Sequence, residues 1–371
     1  MNLITYSPIH LFTFLYYNIT MKNTKNKLFS KEPVTIGPKS GYDNYIMAIE
    51  SSCDETACAI VKNGREVVAN VVASQIKTHA QFGGVIPEIA AREHLDSINI
   101  IIEEAFKQAK ENAGLNPDDI TAFAGTVGPG LVGCLLVGLN ATKTLALTYD
   151  KPFIGVNHLN AHLCGNYLDT ELKPPFMALL VSGGHTQIID VKSYSEQTIL
   201  GETIDDAVGE AYDKVARLIG LPYPGGPKLD KLAQKGNPFA FKLPESRVDG
   251  YNFSFSGLKT AVLRLVKSFD GKEMPVADIC ASFQETVSST LLHKLKRALQ
   301  ENNYNQVVIA GGVAANSEIR KKVFALQEEG YKVFAPPMKY CTDNASMVAS
   351  CAYFNTNTFD DVNVEVFSRV K

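Results

Sequence analysis

The sequence predicts an α/β protein of two similar lobes facing a central ligand cleft, and three observations predict it. A strand, polar turn, strand pattern opens at YIMAIESSCDETACAIV (45–61) and returns about 130 residues later as FMALLVSGGHTQIIDV (176–191). Strand, glycine turn, helix units follow each copy. The chain has 371 residues, 45% of them hydrophobic, enough to bury a sizeable core in each lobe. The expected organisation is an N-terminal extension over 1–43, a first lobe over 44–153 completed by 345–371, and a second lobe over 154–344.

The extension is set apart by IHLFTFLYY (9–17), an apolar run too short to span a bilayer. The basic stretch MKNTKNKLFSK (21–31) follows it, the reverse of a targeting presequence, so we expect a poorly ordered upstream extension with Met21 or a later residue as the working start. From Tyr45 the first hairpin passes through Asn63 and Gly64 into a third strand. LDSINIIIEEAFKQAKENAG (95–114) is an amphipathic helix with Ile98, Ile101, Ile102, Ala105 and Phe106 on one side and a stop at Gly114. ITAFAGTVGPGLVGCLLVGLNATKTLALTY (120–149) reads as strand, Gly128-Pro129-Gly130 turn and long apolar helix. The second hairpin likewise runs on into a third strand, through QTIL (197–200). NQVVIAGGVAANSEIRKKVFALQ (305–327) repeats the strand, turn, helix plan, with Gly311 and Gly312 at the turn and Asn316 near the helix start. Glycines after a strand let backbone N–H groups approach an anion closely. Any one such turn is equally read as tight packing; the set, with two duplicated hairpin turns, points to a clasped nucleotide.

A net charge of -3 argues against nucleic-acid binding by bulk electrostatics. A polyanion partner then needs a local patch or a second protein. The short clusters Lys294, Lys296, Arg297 and Arg320, Lys321, Lys322 read first as solvated helix faces. Seven scattered cysteines without a CxxC pair suggest reduced thiols and a cytoplasmic protein. GxxxxGK[ST] does not occur, so a P-loop reading lacks its signature.

In NHLNAHL (157–163), His158 and His162 are four apart, which on a helix places both imidazoles on one face. By spacing alone the pair suits a metal and a half-buried core about equally. Leu159 occupies the position where a zinc protease of the HExxH type carries its general base, which disfavours that chemistry.

The combination ESSCDET (50–56), GPGLVG (128–133), HLNAH (158–162), VSGGHT (181–186), YPGGPKLD (223–230), FSFSGLK (253–259), AGGVAAN (310–316) and CTDNA (341–345) resembles the tRNA N6-adenosine threonylcarbamoyltransferase family, TsaD in bacteria. The resemblance runs from about Tyr45 to the C-terminus. It implies the actin, Hsp70 and sugar-kinase (ASKHA, RNase H-like) architecture. It also implies transfer of a threonylcarbamoyl group from threonylcarbamoyl-adenylate to N6 of adenosine 37 in tRNAs reading codons that begin with A, with release of AMP.

By the same resemblance the metal ligands are His158, His162 and Asp343, holding one iron(II) per chain, with zinc(II) as the alternative. The adenylate lies against Val181, Ser182, Gly183, Gly184, His185, Asp213, Gly226, Asp230 and Asn316. Without it, Asp213 and Asp230 read as solvated helix residues. For the proton acceptor we expect Asp54, then Glu55, in a turn facing the cleft; a purely capping role for Asp54 stands beside this. Implied partners are tRNA, the degenerate paralogue TsaB and the P-loop ATPase TsaE in bacteria, or a kinase-containing assembly elsewhere; no membrane is implied. Two competing classes are an ATP-dependent kinase or ATPase on the same fold, and a non-catalytic scaffold. The first needs no histidine pair, and the second is expected to lack the metal ligands.

Overall fold

The computed structural model describes residues 34–245, 248–355 and 359–369. The expected N-terminal extension lies outside the described residues as far as position 33. Residues 34–43 form bends, in which Gly37 N donates to Asn44 Oδ1 (3.0 Å) and the Tyr42 hydroxyl donates to Thr35 O (2.8 Å).

Two five-stranded sheets share one plan. The first comprises β1 (Tyr45–Glu50), β2 (Glu55–Lys62), β3 (Glu66–Ser74), β4 (Ala122–Gly128) and β5 (Phe153–Asn157), in the order β3-β2-β1-β4-β5. The second comprises β6 (Phe176–Val181), β7 (Thr186–Val191), β8 (Gln197–Glu202), β9 (Gln306–Ala310) and β10 (Lys332–Phe334), in the order β10-β9-β6-β7-β8. In both, a three-stranded antiparallel meander is extended by two parallel strands beside the first strand. Parallel strands need covered faces, which explains the near-continuous burial of β1, β4 and β6. The expected lobe boundary at 153/154 falls inside β5, which pairs with β4 and so extends the first sheet to Asn157.

The helices are α1 (Ile76–Ala80), α2 (Pro87–Ala113), α3 (Val132–Thr148), α4 (His158–Cys164), α5 (Val208–Leu218), α6 (Gly225–Ala233), α7 (Ser256–Lys267), α8 (Val276–Glu301), α9 (Ser317–Phe324) and α10 (Ala345–Asn355). Helix α2 starts at Pro87 rather than Leu95, because a proline at the first helical position lacks an N–H that would be orphaned anyway. It ends at Gly114, whose φ of 71° is the left-handed cap. Its buried stripe is Ala90, His94, Ile98, Ile101, Ala105 and Ala109, while Ile102 and Phe106 are half-buried.

Helices α2 and α3 cover one face of the first sheet, through Ile98, Ile101, Phe123 and Leu139. Helices α5, α6, α7 and α8 cover the outer face of the second sheet. The inner faces of both sheets meet in a common core that also contains α4, α10 and the connector residues Tyr167, Leu168 and Leu172. The chain after Asp343 therefore returns to the first lobe; Asp360 N donates to Phe153 O (3.0 Å) and Phe367 N to Val127 O (3.0 Å). No helix among the described residues is long and apolar enough to cross a membrane. All seven cysteines are free thiols, and all but Cys53 are buried.

Candidate metal and nucleotide site

NHLNAHL is the junction between β5 and α4. Asn157 caps the helix, its Oδ1 accepting from Leu159 N (2.9 Å) and Asn160 N (3.2 Å), which supplies two of the otherwise unpaired N-terminal N–H groups. His158 is then the first helical residue and His162 lies one turn on; their rings are 4.6 Å apart, centroid to centroid. Asp343 arrives from the loop before α10, with Oδ1 3.1 Å from His162 Nε2 and 3.6 Å from His158 Nε2. The three ligand atoms lie within 4.8 Å of one another. Both histidines are buried, and Leu159, in the place of a protease's Glu, is packed in the common core.

The fourth residue of this centre is Glu50, the last residue of β1 and fully buried. Its Oε2 is 3.0 Å from His158 Nδ1 and accepts from Thr126 Oγ1 (2.6 Å), while Oε1 accepts from Ser52 N (2.5 Å). A carboxylate can only accept, so Nδ1 carries the proton and Nε2 is turned toward Asp343 and His162. Burial opposes charge on His158, but Glu50 and Asp343 outweigh it and push the imidazole up to about 9. Burial likewise opposes charge on Asp343, and His158 and His162 outweigh it, holding the carboxyl at about 2. Two imidazole nitrogens and a carboxylate oxygen converging on one point, with a buried carboxylate behind one imidazole, fit a divalent transition metal such as iron(II) or zinc(II).

The first hairpin turn stands beside this cluster. Asp54 is largely buried and Glu55 half-buried. Burial, the Asp343 charge and the Asp54 charge together push Glu55 up to about 10. The turn is clamped against α3: Leu131 N donates to Ser52 O (2.8 Å) and Ser51 Oγ to Cys134 O (2.9 Å). A Cβ on Gly138 would stand 2.2 Å from Ser51 Oγ, so the approach requires glycine. Burial pushes the Cys53 thiol far up, and Asp54, Asp343 and Glu55 add to it, which removes any thiolate nucleophile.

The second hairpin turn, 182–185, closes with Ser182 N donating to His185 O (2.8 Å) and His185 N to Ser182 Oγ (3.0 Å). Val181 is core, so it offers the cleft only backbone. Space beside Gly183 and Gly184 is open, while Gly311, at φ 90°, lies against the Val181 carbonyl, where a Cβ would come within 2.3 Å. Burial lowers the pKa of His185, and His158 and His162 lower it further, so this turn shares the field of the histidine pair.

Asp213 and Asp230 are structural anchors here, not solvated helix residues. Asp213 Oδ1 accepts from Gly225 N (2.8 Å) and Gly226 N (3.1 Å), pinning the start of α6 to α5. Asp230 accepts from Gln284 Nε2 (2.9 Å), Ser317 Oγ (2.6 Å) and Ser317 N (3.2 Å). Asn316 caps α9 through Ile319 N (3.0 Å) and donates to Gln284 Oε1 (2.9 Å). Asp230, Asn316 and Gln284 thus form one network, with Asp213 in a neighbouring one. Glu50 and Gln284 escaped the sequence reading. The acid closing the otherwise apolar run YIMAIE was a signal for Glu50; Gln284, in mid-helix, gave none.

Two like lobes whose hairpin turns and glycine turns converge beside a His, His, Asp cluster define a protein of the actin, Hsp70 and sugar-kinase architecture bearing a metal-type centre. The fold is shared with HypF from T. kodakarensis (TM-score 0.58, 15% identity, covering 87% of this chain and 50% of that one). It is shared too with component A of the Acidaminococcus fermentans (R)-2-hydroxyglutaryl-CoA dehydratase (TM-score 0.50, 17% identity, 84% and 98%). The family model described as TsaD, tRNA N6-adenosine threonylcarbamoyltransferase, matches residues 66–350. Proteins of that name from a Picosynechococcus species and from Bacillus subtilis are 52% and 51% identical to it, covering 88% and 83% of this chain and 94% and 89% of their own lengths. The chain belongs to the tRNA N6-adenosine threonylcarbamoyltransferase family.

Proposed function

We propose that this enzyme transfers the threonylcarbamoyl group of threonylcarbamoyl-adenylate to N6 of adenosine 37 in tRNAs reading codons that begin with A. The observation that carries the reading is the placing of the His158, His162 and Asp343 cluster beside the Asp54–Glu55 turn. The donor is a mixed anhydride, with an electrophilic carbonyl and AMP as a good leaving group. The adenine amine is a weak nucleophile, so it must be positioned and relieved of a proton as it attacks. The N6–carbon bond forms, the carbon–oxygen bond to phosphate breaks, and AMP departs with the electron pair.

Asp54 accepts the N6 proton in this scheme. Glu55, expected as the second acceptor, is pushed up to about 10 and holds its proton near neutral pH, which leaves it a proton donor rather than the base. In the 182–185 turn the backbone N–H groups of Gly183 and Gly184 face the adenylate phosphate, and Gly226, whose own N–H is held by Asp213, lets the backbone approach closely; the network of Asp230, Asn316 and Gln284, with Asp213 nearby, holds the nucleoside end. Bound at His158, His162 and Asp343, a divalent iron or zinc ion supplies Lewis-acid polarisation of substrate oxygens. Glu50 keeps His158 in the tautomer that leaves Nε2 free to act as a ligand. With a net charge of -3, tRNA affinity is reinforced by partner proteins of the TsaB and TsaE kinds.

The test is transfer from supplied threonylcarbamoyl-adenylate to tRNA by Asp54→Ala enzyme, with fold and metal content checked. We expect the rate to fall on the order of 100-fold or more. A normal rate removes Asp54 as the base.

A further inference from the structure

Asp54 and Glu55 lie between two anchor points made by a single buried side chain. His94, on the inner stripe of α2, has one ring nitrogen, Nε2, 3.0 Å from Cys53 O and the other, Nδ1, 2.7 Å from Thr56 Oγ1. It therefore grips the residue before Asp54 and the residue after Glu55. A carbonyl oxygen can only accept, so Nε2 carries the proton and Nδ1 accepts from the Thr56 hydroxyl. Burial lowers the pKa of His94, which favours this neutral form.

Behind it, Gln75 N donates to Asp54 O (2.9 Å). The Gln75 side chain bridges Ala90 O (3.3 Å) and His79 Nε2 (3.1 Å), so the same turn of α2 that presents His94 also steadies this contact. Neither His94 nor Gln75 is part of the His158, His162, Asp343 cluster. Core packing needs no second polar partner for an imidazole, and an apolar residue of similar volume would fill the stripe between Ala90 and Ile98.

We infer that His94 is a positioning residue for the transfer reaction, fixing through Cys53 O and Thr56 Oγ1 the turn that aims Asp54 at the acceptor amine. The inference rests on the reading of Asp54 as the proton acceptor. An ångström of drift in the turn leaves tRNA binding intact but misplaces the carboxylate, so the effect falls on kcat.

The test uses the full chain with its metal and partner proteins, scored by kcat and KM for tRNA at saturating donor. His94→Phe is expected to lower kcat about 10–100-fold, with KM for tRNA and metal content within about twofold of wild type. His94→Gln keeps an amide N–H at the reach of Nε2 and is expected to recover most of the loss. Thr56→Val, which removes only the Nδ1 partner and guards against a misfolded His94 variant, is expected to lower kcat about 3–10-fold. In an Asp54→Ala background, His94→Phe is expected to add nothing. Wild-type kcat in His94→Phe and Thr56→Val, or a full further loss in the Asp54→Ala background, overturns the role of His94 while leaving Asp54 in place. A normal rate for Asp54→Ala alone overturns both.

Discussion

At the level of single residues, the metal-type centre depends on Glu50 as much as on the three groups that face one another. Removing the carboxylate's charge with Glu50→Gln frees His158 to rotate and to change tautomer, so metal affinity is expected to fall about 10–100-fold by competitive chelator titration. An unchanged affinity would show that Glu50 only fills space. The raised pKa of His158 sets a pH dependence as well. A metal must displace the proton from Nε2, so apparent affinity is expected to rise about tenfold per pH unit toward about 9 and to level off above it.

In metal-free protein the same shift acts on stability. His158 titrates at about 9 in the fold against an ordinary value near 6.5, so its contribution is complete below about pH 6.5 and is lost as pH rises through about 9. Asp343, held at about 2, contributes above about pH 4 and loses that contribution as pH falls through about 2. The midpoint of thermal unfolding of metal-free protein is expected to drop between pH 7 and pH 9, and metal-loaded protein to drop less.

At the level of elements, the site is made where strands end and helices begin. Asn157 turns β5 into α4 and thereby sets both histidine rings; Asn157→Ala is expected to cost about 1 kcal/mol of stability and to weaken metal binding. Gly138 brings α3 close enough to seat Ser51. A methyl group there meets Ser51 Oγ at 2.2 Å, so Gly138→Ala is expected to cost about 1–3 kcal/mol in a denaturation series and to slow transfer by shifting the 51–54 turn.

These junctions also show what the sequence made legible. Both hairpins, the glycine turns at 128–130 and 311–312, and the four-residue spacing of His158 and His162 are local patterns that leave direct marks in the sequence. Helix α2 begins before the expected 95–114 because PEIAARE carries weak apolar periodicity, and the expected 153/154 boundary cuts β5 because sheet pairing is a long-range contact. The link from Asp343 to the histidines spans about 180 residues and came from family resemblance alone. The second partners of the site residues, Gln284 to Asp230 and His94 to Cys53, are likewise long-range and leave no periodic mark.

At the level of the whole molecule, the two sheets share one inner core, and α4 and α10, which flank the metal-type centre, run through it. Arg65, on the β2–β3 turn of the first lobe, ties that lobe to the connector entering the second, donating to Tyr167 O (3.2 Å), Thr170 O (2.5 Å) and Leu172 O (2.8 Å). Arg65→Ala is expected to cost about 2–4 kcal/mol, seen as a fall of several degrees in Tm, with little change in metal affinity at 25 °C. The duplicated topology gives each lobe one hairpin turn facing the cleft. The first carries Asp54 and the second supplies the backbone at 182–185, so in the proposed reaction both substrates would be held between rigid sheets.

The central claim is tested most directly by the threonylcarbamoyladenosine content of tRNA. Nucleoside digests of tRNA from cells depleted of this protein are compared with digests after complementation by wild type and by His162→Ala. Depletion is expected to remove the modified nucleoside, wild type to restore it, and His162→Ala to fail. Unchanged levels on depletion, with the protein verifiably gone, would contradict the account.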